Sequence, residues 1–66
     1  MRAPERKPIV KLTGQDGNAF FIMGKIQQAL KKGGADKEYI DQYMNQAMSG
    51  DYIHLLAISM DYVDIR

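Results

Sequence analysis

The chain contains no cysteine. That removes disulfide frameworks, thiol catalysis, iron–sulfur ligation and the cysteine-rich zinc folds together. Histidine is almost as scarce, with His54 alone. A catalytic zinc takes three protein ligands, and one histidine among scattered carboxylates offers no recognisable ligand spacing. No metal and no cofactor is therefore expected. Long apolar runs are missing too: nothing approaches the roughly 18–20 residues that cross a bilayer, so no membrane association is expected. The opening residues, Met1-Arg2-Ala3-Pro4-Glu5-Arg6-Lys7-Pro8, do not lead into the apolar stretch of a secretory signal. Together with the missing cysteines, this makes a cytoplasmic location the expectation.

What remains is a chain of 66 residues, 45% hydrophobic and 26% charged, which is the composition of one small folded domain. A domain of this size buries only about 60% of its unfolded surface and usually needs a staple. With disulfides and metals set aside, regular helix packing and self-association are left. The charge is uneven. Residues 1–32 hold Arg2, Arg6, Lys7, Lys11, Lys25, Lys31 and Lys32 against only Glu5 and Asp16. Residues 33–66 hold Lys37 and Arg66 against Asp36, Glu38, Asp41, Asp51, Asp61 and Asp64. Such asymmetry suits a nucleic-acid-facing half, and equally a fold or an assembly that complements itself.

Along the chain, residues 1–7 read as a disordered basic arm and residues 8–66 as a single small helical domain. Pro8 opens the β-branched run Ile9–Leu12, suited to a short strand. Thr13–Asn18 is a turn by composition. Asn18 caps a helix over Ala19–Lys32, whose face Ala19, Ile22, Met23, Ile26, Ala29 and Leu30 follows the helical period. Gly33-Gly34 ends it with a left-handed cap. Asp36 caps a second helix, Lys37–Ser49, with Tyr39, Ile40, Tyr43, Met44, Ala47 and Met48 inward. Asp51 caps a third, from Tyr52 to about Asp61. Its expected core side is Tyr52, Leu55, Leu56, Ser59 and Met60, with His54 and Asp61 opposite. Residues 58–65 also alternate like a strand, and an extended end Tyr62–Ile65 can pair with Ile9–Leu12. The expected fold is mainly α: three short amphipathic helices with a minimal two-stranded β ribbon from the chain ends. Met23, Met44, Met48 and Met60 are expected as core filler.

The segments Ile9–Leu12, Gly17-Asn18-Ala19-Phe20, Ala29–Lys32 and Ser49-Gly50-Asp51-Tyr52 with His54-Leu55-Leu56 together resemble a family of small uncharacterised bacterial and phage-encoded proteins. The resemblance spans Pro8 to Ile65. It implies a compact intracellular protein from a phage or mobile element and brings no activity, cofactor or catalytic residue with it.

No enzyme is expected, because no nucleophile, base and orienting group assemble from these residues. Gly14-x-x-Gly17 lacks the lysine and serine of a phosphate-binding loop, and Asp16 would repel a phosphate. His54 and Asp61 fall near one side of the third helix with no nucleophile beside them. No small-molecule substrate suggests itself. Phe21 stands about 160° from the centre of the first helix's apolar stripe, where either the Ile9–Leu12 strand or another chain must cover it. Gly24 beside it costs about 1 kcal/mol of helix propensity relative to Ala, which suggests close approach by another backbone. The sequence therefore points to a non-enzymatic protein-interaction module, a homodimer or partner-binding subunit with Phe21 and Gly24 at its contact. The alternative is a small nucleic-acid-binding protein using Arg2, Arg6, Lys7, Lys11, Lys25, Lys31 and Lys32.

Overall fold

The computed structural model describes residues 1–12 and 17–66, so most of the turn expected over Thr13–Asn18 lies outside the described residues. The chain runs β1 (Ile9–Val10), α1 (Ala19–Lys32), α2 (Lys37–Ala47), α3 (Tyr52–Tyr62) and β2 (Asp64–Ile65). This is the mainly α fold with a minimal two-stranded sheet. The two strands run parallel, Ile9 opposite Asp64 and Val10 opposite Ile65. Asp64 N–H donates to the Pro8 carbonyl at 2.7 Å, Arg66 N–H to Val10 at 2.9 Å, and Leu12 N–H to Arg66 at 3.0 Å. All three helices lie between the paired strands in sequence, so the sheet closes the chain end to end.

Each helix begins where its cap residue stands. The side chains of Asn18, Asp36 and Asp51 accept from the backbone N–H groups of Phe20, Tyr39 and His54. They satisfy donors that a helix start leaves without partners. At the end of α1, Ala35 N–H reaches the Leu30 carbonyl and Gly34 N–H the Lys31 carbonyl. With Gly34 at φ 103°, this is a Schellman turn, which needs a residue tolerant of left-handed backbone.

The core is built from Ile22, Met23, Ile26 and Leu30 of α1, Ile40, Tyr43 and Ala47 of α2, and Leu55, Ser59 and Tyr62 of α3. Val10 and Val63 close it from the strands. Here the expected face of α3 needs correction. Leu55 and Ser59 point inward as expected, but Tyr52 and Met60 are exposed and Tyr62, assigned to the extended end, is buried. The cause is aromatic. Tyr62 meets Tyr43 and Tyr39 edge-on, at ring-centroid distances of 5.1 and 5.4 Å. Its hydroxyl donates to Gln46 Oε1 and accepts from Gln42 Nε2, both at 3.0 Å. These contacts turn the helix so that Tyr62 replaces Met60 and Tyr52 in the core. Met48 is likewise exposed, since α2 ends one residue before it, and only Met23 of the four methionines is fully buried.

Residues 1–7 carry neither helix nor strand. Arg2 nevertheless exchanges two backbone bonds with the α2 cap: its N–H donates to Asp36 Oδ2 at 2.9 Å, and Asp36 N–H donates to its carbonyl at 3.0 Å. The N–H donors of Tyr39 and then Arg2 hold the Asp36 carboxyl below the ordinary aspartate value. A carboxylate depressed in the folded state contributes stability above its ordinary value and loses it as pH falls. Deleting residues 1–7 should leave the helical circular-dichroism signal and a cooperative melt intact. The midpoint should fall by several degrees at most, because the lost bonds are exposed to solvent. The Asp36 carboxyl, followed by NMR, should titrate at higher pH in the truncated chain. An unchanged Asp36 titration would show that the Arg2 contact is not held in solution.

Candidate interaction surface

With Ile22, Met23, Ile26 and Leu30 turned inward, two consecutive phenylalanines at the start of α1 cannot both be buried. Phe20 is 77% exposed and Phe21 40%. Phe21 does not line the groove between β1 and α1, where Ile9, Val10 and Lys11 stand beside Lys25, Gln28, Ala29 and Lys32. The Lys25 ammonium stands 5.9 Å from the centroid of the Phe21 ring. Apart from its chain neighbours and its own helix backbone, no described atom lies within 4 Å of where a Cβ on Gly24 would stand. Nothing described within the chain requires a glycine there, and the helix backbone is open to an outside group.

Phe20 also forms one wall of an apolar groove at the end of the molecule. Met23 of α1, Ala47 and Met48 at the close of α2, and Tyr52 and Leu55 of α3 complete it. The Tyr52 hydroxyl donates to the Gly17 carbonyl at 2.6 Å, which holds the α1 entrance against α3. From Tyr52 the apolar surface continues along α3. Between Tyr52 and Met60 this helix has no Asp, Glu, Lys or Arg. A helix apolar on every side is normally a buried one. Yet Ile53 is 75% exposed, Met60 60%, and Ala57 between them is exposed as well. At about 100° per residue these three share the side of α3 opposite Leu55, Ser59 and Tyr62. Sequence reasoning missed Phe20, Met48, Ile53 and Met60. The signal was available in the Phe20-Phe21 pair and in the uniform apolarity of α3.

One pair of side chains resembles a nucleophile and base. His54 Nε2 lies 3.1 Å from Ser49 Oγ. The same Nε2 lies 3.0 Å from the Gln46 carbonyl, and Ser49 Oγ donates to that carbonyl at 2.7 Å. A carbonyl only accepts, so the arrangement that satisfies both contacts puts a hydrogen on Nε2. That nitrogen then has no lone pair to take the serine proton. The pair instead adds to the backbone N–H of Ser49 in satisfying a carbonyl at the end of α2. His54 is not set against Asp61, which is exposed. Among the described residues no three of His, Asp and Glu come together as a metal site, and no helix is long and apolar enough to cross a membrane.

The basic residues separate. Lys11, Lys25 and Lys32 line one groove between β1 and α1. Lys31 faces the other side of α1, beside Lys37 and Asp41. Arg2 sits at the α2 cap, and Arg6 and Lys7 are exposed in the arm. No family model, curated protein or solved structure matches the chain.

Proposed function

We propose that the protein is a non-enzymatic interaction module of the cytoplasm that assembles as a homodimer through its apolar end and the outer side of α3. The observation that carries this reading is α3 itself, an apolar helix with its one acidic residue, Asp61, near its end and with Ile53, Ala57 and Met60 facing outward. Clustered exposed apolar residues of this kind mark contact surfaces. A stable interface takes about 800 Å² from each partner. On a molecule whose whole surface is 4502 Å², that is a large share, and the run from Phe20 over Tyr52 to Met60 is the apolar surface able to supply it. Phe21 and Gly24 lie on α1 beyond Phe20, at the edge of this run.

Sedimentation equilibrium tests the reading. The wild type should show dimer at micromolar concentration, and Ile53→Glu should be monomeric with unchanged helical content, since Ile53 contributes little to the monomer's core. Phe20→Glu should weaken association as well. A wild type that stays monomeric at high micromolar concentration refutes the proposal. A dimer that survives Phe21→Glu removes Phe21 from the contact while leaving the assembly.

A further inference from the structure

We infer that the groove between β1 and the outward side of α1 binds the backbone of a single-stranded nucleic acid, with Phe21 as the stacking surface at one end. Three lysines converge there from two elements: Lys11 follows β1, and Lys25 and Lys32 lie two turns apart on α1, about 10 Å along its axis. Gln28 stands between the α1 pair, and the lining contains no acidic side chain. None of the three lysines takes part in an ion pair among the described residues, and Asp64 of the neighbouring strand is engaged by Arg66 at 3.1 Å. Three positive charges around one groove, without an ion-pair partner among the described residues, attract a polyanion.

A second feature narrows the class of polyanion. The depression lined by Phe20, Phe21 and Gly24 adjoins this groove and shares Lys25 and Gln28 with it. The groove therefore passes from lysines onto a part-exposed aromatic ring, with the Lys25 ammonium already over its face. A basic track beside an aromatic platform is how sequence-tolerant single-strand readers hold their ligand, because every unpaired base offers a face to stack. The open position above Gly24 lets a base approach the helix without meeting a Cβ. Duplex reading by α2 is disfavoured, since Asp36 and Glu38 stand at its start, where a recognition helix would meet DNA. The inference does not depend on the homodimer, whose contact would have to stop at Phe20 and leave Phe21 and Gly24 free.

Fluorescence anisotropy of a labelled oligothymidylate with the full chain, at two salt concentrations, tests it. Three phosphate contacts on a single strand give a log–log salt slope of about −2, or affinity about 20-fold weaker at roughly 200 mM than at 50 mM salt. Lys25→Gln with Lys32→Gln should bring that slope to about −0.7. Phe21→Ala should weaken binding about tenfold at either salt concentration and leave the slope unchanged. Sedimentation of each variant separates loss of binding from loss of assembly. The proposal is overturned by no binding at low salt, or by binding that survives the lysine pair but vanishes when Arg2, Arg6 and Lys7 are replaced. It is also overturned if duplex binds as well and Phe21→Ala changes nothing. Equal competition by polyglutamate would make the groove a dock for acidic protein instead.

Discussion

Tyr43→Ala should leave the chain unfolded at room temperature, whereas Tyr43→Phe should fold and melt several degrees lower. Tyr43 is fully buried and is the largest side chain in the core with no exposed surface. Truncating a buried aromatic costs about 3–5 kcal/mol. A domain of 66 residues has a total stability of only about 3–10 kcal/mol. The phenylalanine variant keeps the ring and its edge-on contact with Tyr62 and loses only the hydroxyl. That hydroxyl lies 2.8 Å from Ser59 Oγ, and Ser59 donates its own hydrogen to the Leu55 carbonyl at 2.7 Å. Tyr43 must therefore be the donor, and Ser59 the acceptor. Ser59→Ala would strand the buried phenol at a cost of about 1–3 kcal/mol. Combining it with Tyr43→Phe should cost less than the two single losses added, because the double variant leaves no polar atom unpaired. Thermal melts of the four proteins check this, and strict additivity would show the two hydroxyls to be independent.

The same cluster sets a pH dependence. Burial pushes the Tyr43 phenol above its ordinary value near 10, against the smaller opposing effect of Ser59. Burial also raises Tyr39, with Tyr62 adding to the effect. A group whose value is raised in the folded state contributes stability that is complete below the unfolded value and lost as pH rises through the folded one. Stability should thus be flat toward pH 10 from this source and fall above it, less steeply in Tyr43→Phe.

The helices were legible because their boundaries are chemical. Asn18, Asp36 and Asp51 are short acceptors just ahead of an apolar period, and Gly34 supplies the positive φ that ends α1. The strand pairing followed from two β-branched runs at the chain ends. The facing of α3 was not legible for a physical reason. A helix apolar on every side has no direction in its periodicity, so nothing local distinguishes Met60 from Tyr62. The choice is made by Tyr39 and Tyr43, residues of another helix. That same ambiguity hid the candidate surface, since Met60 reads as core and Ile53 has no assigned side until α3 is oriented. The basic residues were visible as a list, but only the position of β1 shows that Lys11 joins Lys25 and Lys32 while Lys31 does not.

Gly50→Ala should be destabilising although nothing in its backbone demands glycine, because the one left-handed glycine among the described residues is Gly34. A Cβ on Gly50 would lie 2.7 Å from ring carbons of His54 and 2.8 Å from its Cβ. These atoms sit close to the α3 backbone and cannot swing away as a flexible chain end would. Overpacking of this kind costs about 1–3 kcal/mol, or about 4–8 °C per kcal/mol in a domain this small. His54→Ala should cost about 1 kcal/mol by itself, since it removes the N–H that reaches the Gln46 carbonyl. The two losses should not add. Once the imidazole is gone, the alanine at 50 no longer meets the ring carbons, and only the contact with the Cβ of residue 54 at 2.8 Å remains. The double variant should therefore melt higher than the two single losses added would place it. Additive losses would mean that the imidazole does not rest on Gly50, and the α2–α3 junction would then be held without the His54 bond to Gln46.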